Sequence, residues 1–320
     1  MHTKDRGVVL MSVLLIVLLL SSIAVIIGNN YFISIKRASY LEFQSNSLNL
    51  FKGMEFLGKK KIRQEISFSE IISKNNSMFV NNIFLEDERG YIFSEIFDAS
   101  TCFNVNNLVK KNEDTYIPDL KHIEVFKKIM AHLEVDQRDA VQMIDQIIDW
   151  IDADNKPRSS GLEDYFYTGP SNTNQQFTDN RMFHSKDELK NIPSFRGEAW
   201  ANLSKHLCAY PINNFKINLN MLSKKDGILL SGLFKDLSLD DANYVLETMP
   251  DSGFKNINEI YINYQDISFG EALVGIDFKS NIFILETTSK VESFEASSSS
   301  IIYFKNNNNS YILSRNYNGI

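Results

Sequence analysis

The chain has 320 residues, 43% of them hydrophobic and 23% charged, ordinary values for a folded protein with room for one large core or two smaller ones. Its formal net charge is −7 and no basic run stands out, which argues against a nucleic-acid partner. Two cysteines, Cys102 and Cys208, are too few for a disulfide scaffold or a zinc ribbon, although they could form one bridge in an oxidising compartment.

The N-terminal part sets the organisation. Val8 to Ile27 is an unbroken run without a charge (VVLMSVLLIVLLLSSIAVII), and a helix of that length spans roughly the 30 Å hydrocarbon core of a bilayer. A cleaved secretory signal usually has an apolar stretch of about 7–15 residues followed by a small-x-small site. This run is longer, and Gly28-Asn29-Asn30-Tyr31-Phe32 offers no such site. Beyond it, Leu41, Leu48, Phe51, Met54 and Leu57 recur at helical steps, and no proline occurs before Pro118. One helix from Val8 to about Arg63 is expected, ~84 Å long at 1.5 Å per residue.

Two strand-like segments follow, Met78 to Glu86 and Tyr91 to Phe97, around a turn at Asp87-Glu88-Arg89-Gly90. From about Leu108 to Ile260 the pattern is mostly helical. Its best helix is Asp136 to Ile151, with Val141, Ile144, Ile147, Ile148 and Ile151 on one face. β character returns in Asn281 to Thr288, Ser300 to Lys305 and Ser310 to Arg315, with Asn306 to Asn309 as a hairpin loop. The helical part contains an internal echo. Phe103-Asn104-Val105-Asn106-Asn107-Leu108 resembles Ile217-Asn218-Leu219-Asn220-Met221-Leu222, and each is followed by an Asp/Ser-capped helix, at Asp136 and at Ser238.

Met1 to Gly7 carries Lys4, Asp5 and Arg6 and ends in glycine directly against the apolar run. A short basic leader, a glycine and an apolar helix resemble the class III signal of type IV pilins and pseudopilins. That resemblance implies that prepilin peptidase cuts after Gly7, that Val8 becomes an N-methylated terminus, and that residues 8–27 remain as a single-pass anchor in the lipid of a bacterial inner membrane. Lys4 and Arg6 favour a cytoplasmic N-terminus while Lys36 and Arg37 oppose it, so a periplasmic head rests on the resemblance.

Further motifs narrow the family. Phe103 to Leu108, the Asp149-Trp150-Ile151-Asp152-Ala153-Asp154 segment, Gly161-Leu162-Glu163-Asp164-Tyr165-Phe166-Tyr167, Cys208-Ala209-Tyr210-Pro211 and Asn218 to Leu222 occur in the order seen in K pseudopilins of type II secretion systems. With the leader they cover nearly the whole chain, which is therefore identified as a member of that family. The resemblance implies an α+β fold: a pilin spine helix and a small antiparallel sheet interrupted by a large helical insertion of two related units. The expected divisions are leader 1–7, membrane helix 8–27, spine and first strands 28–104, helical insertion 105–265 and final strands 266–320. It also implies a non-enzymatic function, assembly at the pseudopilus tip with minor pseudopilins I and J and the inner-membrane secretion components. Most pilins carry Glu at the fifth mature position; here it is Ser12, as suits a subunit with no neighbour above it. The alternative is a membrane-anchored DNA-uptake protein with helix-hairpin-helix units, disfavoured by the acidic charge and by the absence of Gly-x-Gly hairpins.

Asp152, Asp154, Glu163 and Asp164 crowd a segment whose Asn155, Pro157, Ser159, Ser160 and Gly161 indicate a loop. By residue type alone this is a solvated acidic loop. Asp152, Asp154 and Glu163 match positions 1, 3 and 12 of an EF-hand, but Lys156 and Pro157 stand where a ligand and glycine are needed. The resemblance implies calcium instead, with Asp154, Glu163 and Asp164 as first candidates for ligands and Asp152 and Asp187 after them. A periplasmic head also implies a Cys102–Cys208 bridge, worth up to about 4.7 kcal/mol for a loop of roughly a hundred residues. Enzyme signatures fail. Gly53 to Lys59 matches a phosphate loop but is followed by Lys60 where Ser or Thr is required; His2, His122, His132, His184 and His206 form no zinc motif; no nucleophile elbow occurs. Trp150 and Trp200 are expected to anchor the core.

Overall fold

The computed structural model describes residues 5–113, 115–170, 175–213 and 215–320. Helix α1 runs unbroken from Asp5 to Phe68, ~96 Å at 1.5 Å per residue. It passes through the Gly7–Val8 bond; Met1 to Lys4 of the expected leader lie outside the described residues. Every residue from Val8 to Glu42 is exposed, so none of the described residues covers the apolar stretch.

The second half of α1 packs on a sheet. The five strands β1 (Ile83–Asp87), β2 (Gly90–Asp98), β3 (Ile282–Val291), β4 (Phe294–Phe304) and β5 (Ser310–Asn318) are antiparallel neighbours in that order. Alternation puts Ile92, Ile96, Phe283, Leu285, Ala296, Ile302 and Phe304 on the face toward α1. The helix answers with Phe43, Ser47, Phe51, Met54, Glu55, Gly58, Ile62 and Ile66, one stripe in which Met54 and Glu55 are neighbours and the other steps are three or four residues. The expected stripe is thus corrected: Leu41 is 63% exposed, and small or polar Ser47, Glu55 and Gly58 take places on the buried face. A Cβ on Gly58 would stand 2.9 Å from Leu285 Cδ1, so glycine permits the close approach. Glu55 is buried because Arg315 Nε and Nη2 donate to its carboxylate at 2.7 and 2.9 Å and the Ser300 hydroxyl donates at 2.7 Å.

A helical layer is inserted between β2 and β3, and its core reaches from Ala99 to Ile282, wider than the expected 105–265. Two-residue parallel bridges account for the difference: Phe103–Asn104 pairs with Leu207–Cys208, and Ile217–Asn218 with Ile276–Asp277. Cys102 and Cys208 are joined by a disulfide beside the first bridge, with Cα atoms 5.8 Å apart. The layer contains α2 (Leu120–His132), α3 (Gln137–Ile151), α4 (Gly227–Leu233), α5 (Leu239–Thr248) and α6 (Ile257–Asn263).

The internal echo is a duplicated device. Asn106 donates from Nδ2 to Phe183 O and accepts Phe183 N–H at Oδ1; Asn220 does the same with Phe254. Each unit is therefore a turn, two helices and a returning backbone clamped by a buried asparagine amide. Asn218 also donates to Ile72 O at 2.9 Å, which ties the second unit to the segment leaving the spine. Only the first unit has a long excursion between its second helix and the clamped phenylalanine, and the acidic loop lies in it.

Candidate metal centre

Helix α3 is capped by Asp136, whose carboxylate accepts Arg138 N–H. Its apolar face delivers Trp150 into the core, stacked on Phe183 with ring centres 6.0 Å apart and edge-on to Tyr167 at 5.0 Å. Trp200 is only half-buried, with Lys190 Nζ 5.1 Å from its ring centre. The aromatic packing fixes the end of α3, where Asp149 and Asp152 stand one turn apart. Asp149 is fully buried and Asp152 nearly so.

The loop folds back over these two carboxylates. Arg158 N–H donates to Asp149 Oδ2 at 3.0 Å, Ser160 N–H to Asp145 Oδ2 at 3.1 Å, and Lys156 N–H to Asp154 Oδ1 at 2.8 Å. Gly161 lies so close that a Cβ would meet Asp149 Oδ2 at 1.8 Å. The Arg158 guanidinium is 3.5 Å from Asp149 and 4.0 Å from Asp152. Glu163 then enters the interior, 1% exposed, at the start of the short helix Asp164–Tyr167.

Asp152, Asp154 and Glu163 each offer an oxygen to one point, the three atoms lying within 4.8 Å of one another. Two oxygens on opposite sides of an ion with bonds of about 2.3–2.6 Å are about 4.6–5.2 Å apart, so this set can close on one calcium-sized cation. Both Glu163 carboxylate oxygens, Asp152 Oδ1 and Asp149 Oδ1 are buried without a hydrogen-bond partner. Burial, and then repulsion from the neighbouring acids, pushes the Glu163 carboxyl up to about 8. Burial pushes Asp149 to about 7 and, with repulsion from Asp154, Asp152 to about 6. One guanidinium does not offset this much converging negative charge. Such a cluster is costly unless protons or a cation neutralise it.

Of the residues singled out in the sequence, Asp152, Asp154 and Glu163 are brought together. Asp164 is adjacent, but its Oδ1 accepts the N–H and hydroxyl of Thr178, both at 2.8 Å, and it stands outside the group. Asp187 is remote from it, in the 3₁₀ turn Lys186–Asn191, where Lys190 Nζ holds it at 2.6 Å. Asp149 is not among the ligand candidates the sequence singles out, although its place three residues before Asp152 puts it on the same side of α3.

A long helix with an exposed apolar first part, packed by its second part on a small antiparallel sheet, defines a pilin-like subunit carried on a single N-terminal anchor. A profile of the family described as "Type II secretion system (T2SS), protein K" matches residues 101–212. Over that segment and along most of its length the chain is similar to type II secretion system protein K. The putative type II secretion system protein K of Escherichia coli K12 is 26% identical over 277 residues, 86% of this chain and 84% of that one. Type II secretion system protein K of Aeromonas hydrophila is 29% identical over 254 residues, 76% of each chain. Among solved structures, the GspK-GspI-GspJ complex of enterotoxigenic E. coli contains a chain that superposes with a TM-score of 0.74 at 18% identity, covering 88% of this chain and 99% of that one. At that identity the likeness speaks for the fold.

Proposed function

We propose that this minor pseudopilin caps the tip of the type II secretion pseudopilus, assembling with minor pseudopilins I and J, with residues 8–27 in the inner membrane and the head in the periplasm. The observation that carries this reading is the helical layer inserted between β2 and β3. It lies on the face of the sheet away from the spine, a bulk that a repeating, closely packed filament has no room for but an end position does. Ser12 agrees, since a subunit with nothing above it has no use for a membrane-embedded carboxylate, which costs about 2.5–3.5 kcal/mol when unpaired. Prepilin peptidase removes residues 1–7 and Val8 becomes the N-methylated terminus. The chain works by assembly and performs no catalysis. Immunogold labelling of pseudopili tests the position: label at filament ends supports it, and label spread along the sides refutes it.

We further infer that Asp152, Asp154 and Glu163 bind calcium, with Asp149 and loop carbonyls around them. The support is the convergence of exposed Asp154 with Asp152 and Glu163, whose Asp152 Oδ1 and both Glu163 oxygens are buried without a donor. The ion would neutralise the cluster and fasten loop 152–163 to the end of α3. Asp164 supports the site indirectly, by fixing Thr178 against the short helix that starts after Glu163.

A further inference from the structure

A cleft of about 390 Å³ runs between the outer face of the sheet and the helical layer. Ligand sites favour such junctions between packed units. Half-buried Ile284 and Ile301 and the Cys102–Cys208 bridge give it an apolar floor. Lys186 and Lys205, both exposed, stand on the helical side. Their charge is not cancelled locally. Lys186 Nζ donates to the neutral Ser204 carbonyl at 3.3 Å, and Asp187 beside it is taken by Lys190. Asp98, in the wall, turns Oδ1 to the backbone and hydroxyl of Ser100. A basic lip on a chain of net charge −7 selects an acidic partner.

The opposite side of the cleft is formed by Ser314 and Asn316 of β5. That strand has β4 on one side and no sheet neighbour on the other among the described residues. An edge strand presents backbone N–H and C=O groups that another strand can pair with. A small anion could use the lysines but not this edge; a polypeptide uses both. We propose that the cleft and the β5 edge together form a docking site for an extended segment of a partner protein, which adds as a sixth strand. Its residues at alternate positions face the cleft, about 6.6 Å apart. An apolar residue there covers Ile301 and the disulfide, and Asp or Glu two positions away meets Lys186 or Lys205. Main-chain pairing would supply affinity and the alternate side chains specificity.

The probe is a fluorescein-labelled peptide, Glu-Thr-Val-Thr-Glu, titrated against the full chain in detergent micelles and followed by anisotropy. Saturable binding is expected. The double variant Lys186→Glu/Lys205→Glu should weaken it by about tenfold or more, and so should N-methylation of the probe backbone. Both lysines are exposed, and an unchanged circular dichroism spectrum confirms that the variant is folded. No saturable binding overturns the proposal. Binding indifferent to N-methylation also overturns it, because charge alone would then suffice. The chain's own β1, Ile83-Phe84-Leu85-Glu86-Asp87, is an edge segment of similar chemistry. Concentration-dependent self-association that the probe competes away would make the occupant a second copy and overturn the partner assignment.

Discussion

The acidic cluster makes an unusual demand on stability: without calcium, stability should fall as pH rises, and calcium should cancel that fall. In the folded state Glu163, Asp152 and Asp149 hold their protons up to about 8, about 6 and about 7, well above ordinary carboxylates. The folded chain therefore binds more protons than the unfolded chain between about pH 4 and pH 8, and calcium-free stability falls as pH rises through that window. The slope is at most about 1.4 kcal/mol per pH unit for each such group, and less for a coupled set. Calcium needs the deprotonated carboxylates, so its stabilisation grows over the same window. A hundredfold excess over Kd adds about 2.7 kcal/mol. For a head of this size that raises Tm by roughly 5–11 °C, at 2–4 °C per kcal/mol. Glu163→Gln removes one ligand charge and should abolish the calcium response, yet raise the calcium-free Tm at pH 8 by removing buried repulsion. Scanning calorimetry of a chain lacking residues 1–27, at pH 6 and pH 8, with calcium and with chelator, gives all the comparisons. Equal Tm with calcium and chelator at pH 8, or a calcium-free Glu163→Gln head less stable than the parent, would refute the reasoning.

Arg315→Ala leaves the Glu55 carboxylate buried with only Ser300 as donor. Because Arg315 is 41% exposed, the loss should be smaller than for a fully buried pair, about 2 kcal/mol by urea unfolding, and Glu55→Gln in the same background should recover part of it. Asn106→Ala and Asn220→Ala each leave a phenylalanine N–H and C=O without their partner, so each should cost about 2–4 kcal/mol, with the two losses of similar size. Gly7→Leu should leave residues 1–7 attached, and intact-mass analysis of membrane-extracted protein reads this directly; a parent chain beginning anywhere but Val8 contradicts the processing assignment.

Much of the architecture was legible because local pattern and final environment agree. Helix α3 carries isoleucines at helical spacing, an Asp136 cap and a core that wants that face, so Asp136 to Ile151 was readable to within a residue. The spine stripe was readable in kind but not in phase. Its buried face includes Glu55 and Gly58, which belong there because of Arg315, Ser300 and Leu285, partners more than two hundred residues away. Strand β4 begins at Phe294, earlier than the expected Ser300, because Ser297 to Ser300 have little strand propensity and are held by pairing on both sides. The β3–β4 turn, Glu292-Ser293, places Glu292 at φ 53° without the glycine or asparagine that usually marks such a turn. The echo of the two Asn-rich segments was visible, but its purpose was not, since Asn106 closes on Phe183, 77 residues onward. At the acidic site, loop composition alone indicates a solvated acidic loop, and the family resemblance is what pointed to Asp154, Glu163 and Asp164. Folding turns Asp164 to Thr178 and sets Asp149 beside the group, under a loop that returns over the end of α3.

The claim that the protein caps a pseudopilus is tested most directly by its behaviour with the neighbouring subunits. Mixed with the soluble heads of minor pseudopilins I and J from the same secretion system, the chain lacking residues 1–27 should form a single 1:1:1 complex. Multi-angle light scattering after gel filtration measures this. Alone, at the same concentration, it should remain monomeric. Failure to bind either head, or growth of the isolated chain into oligomers that I and J do not terminate, would contradict the tip assignment.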